Sequence, residues 1–215
     1  MLLRPGLAAL LLLIAACADD PTHGVTPPAS RHLNTELALE SRWLGELILK
    51  HNGTVYHGEE RVRLAAVLAQ VETEMSKAPI LPGYAQSPLL PDDWLHLRVD
   101  EDTAFKHVAN LLAACSEKHI RKLAFVTPTE LAWRTLRPPV DLGVERGSEA
   151  DALSVRLIAG ETVTLASIAA QLPDPVPDYL PLVVEPLVPW SEVVNALDFM
   201  VDCGMDASLI YPVAE

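Results

Sequence analysis

Apolar residues change their spacing along this chain, and each change marks an element. From about Leu7 to Ala18 they run almost unbroken. Residues 18–33 (ADDPTHGVTPPASRHL) are polar and proline-rich, too poor in apolar groups to hold themselves together, and read as a flexible tether. Leu47 to Lys50 and Thr54 to His57 then flank Asn52-Gly53, a dipeptide that accepts the positive φ of a tight turn and predicts a hairpin. Leu64, Val67, Leu68, Val71 and Met75 return on one face of a helix over about 61–75. After a proline-rich loop from Pro79 to Pro91, Leu95-His96-Leu97-Arg98-Val99 alternates with the period of a strand covered on one face. Phe105, Val108, Leu112 and Cys115 recur on a second helix whose acidic start and basic end suit the helix dipole. Leu123 to Val126 reads as a buried strand.

The second half predicts the same succession. Leu153 to Ile158 is a strand, Leu165 to Leu172 a short helix stopped by Pro173, and Leu180 to Val184 a strand. A helix follows between Pro189 and Gly204, with Trp190, Val193, Leu197 and Met200 inward. Ser208 to Tyr211 closes the half. The likeness extends to the residues themselves. Glu60 to Val71 (ERVRLAAVLAQV) aligns without gaps to Glu161 to Leu172 (ETVTLASIAAQL), and Glu, Val, Leu, Ala, Ala and Gln recur in place. Trp94 to Leu112 aligns to Tyr179 to Leu197, matching Leu95/Leu180, Leu97/Leu182, Val99/Val184, Val108/Val193, Asn110/Asn195 and Leu112/Leu197. The expected fold is α+β, two tandem β-β-α-β-α-β modules.

The apolar run changes the picture of the first residues. It follows one basic residue, Arg4, and ends in Ile14-Ala15-Ala16-Cys17, which looks like the lipobox of a bacterial lipoprotein: small side chains for the peptidase, a thiol for the lipid. At about 12 residues it falls short of the roughly 20 that span a bilayer. The expected organisation is a signal peptide (1–16), lipidated Cys17 with a flexible tether (17–40), a first module (41–127), a connector (128–150) and a second module (151–215). Val140 to Val144 in the connector is the candidate hairpin partner for the second module. The expected location is the cell envelope, lipid-anchored and facing the periplasm, with Ala18 after the lipid-bearing cysteine permitting outer-membrane sorting.

Composition narrows the function. A formal charge of −13 repels nucleic acid and gives no hint of an oligonucleotide partner. With Cys17 assigned to lipid, Cys115 and Cys203 remain, either as a candidate disulfide or as two thiols acting as small hydrophobes. The histidines are scattered: His51 and His57 flank the hairpin beside Glu59 and Glu60, and His107 and His119 fall on or near a helix. Asp100, Glu101 and Asp102 are either an acid/base cluster or compensation at a helix start. Trp94, Trp133, Tyr179 and Trp190 are either groove lining or core. No Gly-rich phosphate loop, nucleophile elbow or zinc spacing occurs, so no cofactor, metal or enzymatic activity is expected.

The residues Val99 to Thr127 (VDEDTAFKHVANLLAACSEKHIRKLAFVT), with Asn52-Gly53-Thr54-Val55-Tyr56 and Arg61-Val62-Arg63-Leu64 before them, resemble the periplasmic domain of the ExbD/TolR biopolymer-transport family. The likeness covers about 44–127 and, in weaker form, 152–212. Members of that family carry a membrane helix with an aspartate that serves a proton-driven motor. This chain shows a lipid signal there and no acid in its apolar run, so the resemblance does not extend to proton conduction. What it implies is a non-enzymatic envelope lipoprotein, accessory to energised transport. Its partners would be a motor component, a TonB-like segment or peptidoglycan. The family's dimers imply either a homodimer or an internal pseudo-dimer. Partner-strand addition at Leu95, Leu97, Val99 and Asp100, or at Leu182, Val184 and Glu185, is expected if those strands lie at sheet edges. The alternative is a periplasmic solute- or peptide-binding lipoprotein with a cleft between its lobes.

Overall fold

Two strands with an apolar residue at alternate positions organise the molecule, a computed structural model that describes residues 23–31, 42–76, 93–118, 120, 123–128, 134–136, 154–176 and 179–210. The first, β4 (Asp93–Val99), lies between β1 (Arg42–Leu49) and β5 (Leu123–Thr127), parallel to both. Leu97 stands opposite Leu47 on one side and Phe125 on the other. Beyond β1 come β2 (Val55–His57) and β3 (Glu60–Val62), each antiparallel to its neighbour. Beyond β5 comes β6 (Arg134–Leu136), also antiparallel. The sheet order is β3-β2-β1-β4-β5-β6. A second, all-parallel sheet has the order β7-β8-β9: Val155–Leu157, Tyr179–Val184 and Asp206–Ile210.

Parallel neighbours need crossovers, and the helices supply them. In the first half α1 (Leu64–Ser76) precedes β4, and α2 (Phe105–Glu117) joins β4 to β5. In the second, α3 (Leu165–Ala169) joins β7 to β8, and α4 (Trp190–Asp202) joins β8 to β9. The order strand, helix, strand, helix, strand thus occurs in both halves of a mixed α+β fold with four helices among the described residues. Gln171, recurring in sequence with Gln70, closes the edge of β7. It accepts from the Arg156 N–H at 2.7 Å and donates to the Arg156 carbonyl at 3.3 Å.

The halves meet where α2 and α4 begin. The residues capping these helices are Ala104 and Pro189, which have no side-chain acceptor for the free N–H groups of a first turn. Each helix is capped instead by the backbone of the other half. The Phe105 N–H donates to the Val188 carbonyl and the Trp190 N–H to the Thr103 carbonyl, both at 2.8 Å. The Lys106 N–H donates to the Pro186 carbonyl at 2.9 Å and the Ser191 N–H to the Glu101 carbonyl at 3.0 Å. Ala104 bridges antiparallel to Pro189, its counterpart 85 positions on, and every bond in one direction has its mate at that same separation in the other. Buried Trp190 packs on Phe125 with ring centroids 4.8 Å apart, so the apolar residues of both halves form one cluster.

Four expectations need correction. The helix expected from 61 begins at Leu64, because Gly58 (φ +60) turns Glu60–Val62 back onto β2 as a strand. The repeat hid this difference: at the matching place in the second half, Thr164 opens α3 with a reciprocal capping box to Ser167. The connector contains β6, which pairs the outer backbone groups of the fully buried β5. Part of the tether is ordered: Val25, Pro27 and Pro28 are buried against the folded body, because apolar and proline surface finds a groove there. Finally, β4 and β8 are central strands, so they offer no edge. Cys17 and Val140 to Val144 lie outside the described residues.

The matched junction makes a prediction about stability. Thr103 is 0% exposed and its hydroxyl has no hydrogen-bond partner among the described residues, whereas its counterpart Val188 is apolar. Ala104 (φ −61°, ψ 135°) already has the conformation of its counterpart Pro189 (φ −62°, ψ 147°). Thr103→Val and Ala104→Pro should each raise the unfolding free energy by about 1 kcal/mol in urea titrations.

Candidate functional site

The residues singled out from sequence do not come together as one site. Leu95, Leu97, Val99, Leu182 and Val184 are at most 1% exposed and build the core, so partner-strand addition at β4 or β8 is excluded by their position. Asp100 and Glu185 end those two strands in matched roles. Their N–H groups donate to the Leu49 and Leu157 carbonyls, both at 3.0 Å. Their carboxylates close turns: Asp100 accepts from the Asp102 N–H at 3.1 Å, and Glu185 from the Ala159 N–H at 2.9 Å. This is turn chemistry, not an acid/base pair. Cys115 is fully buried on α2, Cys203 is exposed at the end of α4, and both are free thiols, so the candidate disulfide is not formed. Burial pushes the Cys115 thiol up to about 12.

The structure does make one polar concavity, of about 310 Å³, between the hairpin and α2. Asn52, Thr54, Arg61, His107 and Asn110 supply its polar wall, and Leu49, Val55 and Leu111 are among its apolar lining. The hairpin turn positions this wall. The Gly53 N–H donates to the Lys50 carbonyl at 2.9 Å, and the Asn52 side chain accepts from the Thr54 N–H at 3.0 Å. Gly53 sits at φ +81°, and a Cβ there would lie 2.5 Å from His107 Nδ1, so only glycine lets the imidazole close over the turn. Burial, with Lys106 adding to it, lowers the basicity of His107. An arginine, a neutral imidazole and two amides around an apolar patch suit a small ligand bearing an anionic or carbonyl oxygen. In the second half Glu192, the counterpart of His107, instead accepts from the Val163 N–H at 2.9 Å.

Buried charge lies elsewhere. On the opposite side of β4 from Leu95 and Leu97, Arg98 pairs with Glu46, and buried His96 is held below its ordinary basicity by desolvation, which Glu46 partly offsets. On α4, Asp198 is buried and accepts from the Ser30 hydroxyl at 2.6 Å and the Arg31 N–H at 2.8 Å. Sequence reading passed over Asp198, although an acid interrupting the stripe of Val193, Val194, Leu197 and Met200 was the available signal. Among the described residues no three His, Cys, Asp or Glu side chains group as a metal site, and no helix is long and apolar enough to cross a membrane. Compared with known protein families, curated proteins and solved structures, the chain gives no match.

Two measurements check these environments. In a chain with Cys17 blocked, Cys203 should react rapidly with a maleimide at neutral pH and Cys115 only after unfolding; fast modification of both would contradict the burial of α2. His96, lowered in the folded state, binds its proton more readily when unfolded. Its contribution to stability is therefore present above pH 6.5 and is lost as pH falls below that value toward its folded pKa. His96→Gln should flatten the fall in unfolding free energy across that window.

Proposed function

We propose that this chain is a non-enzymatic bacterial envelope lipoprotein carrying two ExbD/TolR-like modules that pair as an internal pseudo-dimer, and that it works by binding an envelope partner. The supporting observation is the reciprocal capping of α2 and α4. Four backbone bonds fall into two pairs, each related by the same 85-residue separation, as a two-fold contact between copies of one unit requires. The partner class (motor component, TonB-like segment or peptidoglycan) follows from the sequence resemblance. The concavity over Gly53 is the proposed contact point, because it combines a guanidinium, an imidazole and amides around an apolar patch. The alternative, solute capture between lobes, gains nothing from the junction, which Ala104, Phe105, Pro189 and Trp190 fill.

Small-angle scattering of residues 17–215 should give a compact particle; an extended, two-lobed one would remove the pseudo-dimer. Capture from envelope extracts should retain an envelope protein or murein, with Arg61→Ala/Asn110→Ala weakening retention several-fold. Equal retention by that variant would exclude the concavity, and failure to retain either class would sink the binding role.

A further inference from the structure

Residues 23–31 cross the junction as a strap that begins with a turn at His23 and Gly24. At one end the His23 ring stacks on Tyr56 with centroids 4.2 Å apart, and its Nε2 lies 2.7 Å from the Gly58 carbonyl. In the middle Val25, Pro27 and Pro28 are buried, and the Thr26 carbonyl accepts from the Glu101 N–H at 2.8 Å. At the far end Ser30 and Arg31 satisfy Asp198, while the Arg31 guanidinium pairs with Asp202 at 2.8 Å and lies 4.7 Å over the Phe199 ring. Asp198 directs the strap to this half: its carboxylate is 4% exposed and takes its donors from the strap, and its counterpart on α2 is Ala113, which can grip nothing. Undocking the strap would break these charge-assisted bonds and expose Val25, Pro27 and Pro28, so docking is the favoured state.

We propose that the strap turns the Tyr56–Gly58 end of the first half toward the lipid surface and holds it there, so that this end is the membrane-facing side of the molecule. The inference rests on the reading of Cys17 as the lipid-bearing residue. Only five residues lie between Cys17 and His23, a reach of roughly 20 Å when fully extended. With the strap free, the next described element is β1, which begins at Arg42, 25 positions from Cys17, and the maximum reach rises to roughly 85 Å. Docking thus converts a long leash into a short, oriented one. Beside Glu59 and Glu60, Lys50 Nζ lies 5.3 Å from the Tyr56 ring centroid and Arg61 stands opposite Tyr56 on β3, so this end offers cations to phosphate headgroups.

The test couples residues 17–215, as Cys203→Ser, through the Cys17 thiol to a maleimide lipid in phosphatidylethanolamine–phosphatidylglycerol nanodiscs carrying a gadolinium lipid. Amide line broadening should be strong at Gly58 and weak at Gly204, beyond the end of α4. In Ser30→Ala/Arg31→Ala that difference should disappear, and the Glu101 amide, no longer covered by Thr26, should exchange faster in solution. Equal broadening at both glycines in the unaltered strap overturns the proposal, as does a difference that survives when Glu101 exchange shows the strap undocked. Unchanged Glu101 exchange in that variant overturns the role given to Ser30 and Arg31. Chemical coupling makes these readouts independent of natural lipidation, which the mass of the exported chain reports separately: an unacylated Cys17 would fail that reading alone.

Discussion

Two helices without side-chain caps are stable here because each borrows its first acceptors from the other half. A first turn has free N–H donors, and burying them without partners costs about 1–3 kcal/mol each. With Ala104 and Pro189 at the capping positions, the turn from β4 into α2 and the turn from β8 into α4 must lie back to back. Phe105 and Trp190 follow directly and are buried together with Phe125. Main-chain hydrogen bonding and apolar burial therefore impose the same arrangement, and neither half completes its polar or its apolar surface alone.

The differences between the halves carry the specific features. The first half extends its sheet with a hairpin, and the turn at Gly53 lets His107 close one wall of a polar concavity. In the second half the Gln171 amide bonds the backbone of Arg156 on β7, and Glu192 accepts from a backbone N–H. It also has Asp198 where the first half has Ala113. The strand–helix order common to both halves sets where such positions are, and the residue at each decides whether it becomes a wall, a cap or a grip for the strap.

Burial limits which residues remain available to a partner. The apolar residues that recur most faithfully, Leu95, Leu97, Val99, Leu182 and Val184, recur because they occupy the two central strands. Recurrence of apolar residues at matching positions of the two halves reports packing. The carboxylates Asp100 and Glu185 likewise serve backbone turns, Asp100 the one leading into α2 and Glu185 the one that follows β7.

Hydrophobic period and turn chemistry sufficed to place the hairpin at Asn52-Gly53, the strands over β4, β5 and β8, and the long helices α2 and α4, because each buries one face at a regular spacing. The repeat was legible for the same reason. Other features depend on partners remote in sequence. Glu60–Val62 became a strand because β2 was there to pair with it, and β6 formed because β5 had an open edge. His107 meets Gly53 through the hairpin, and Ser30 meets Asp198 across 168 positions. A local pattern records which face of an element is apolar; what covers that face, and which polar groups meet beside it, is decided only when distant backbone donors and acceptors must all be satisfied at once.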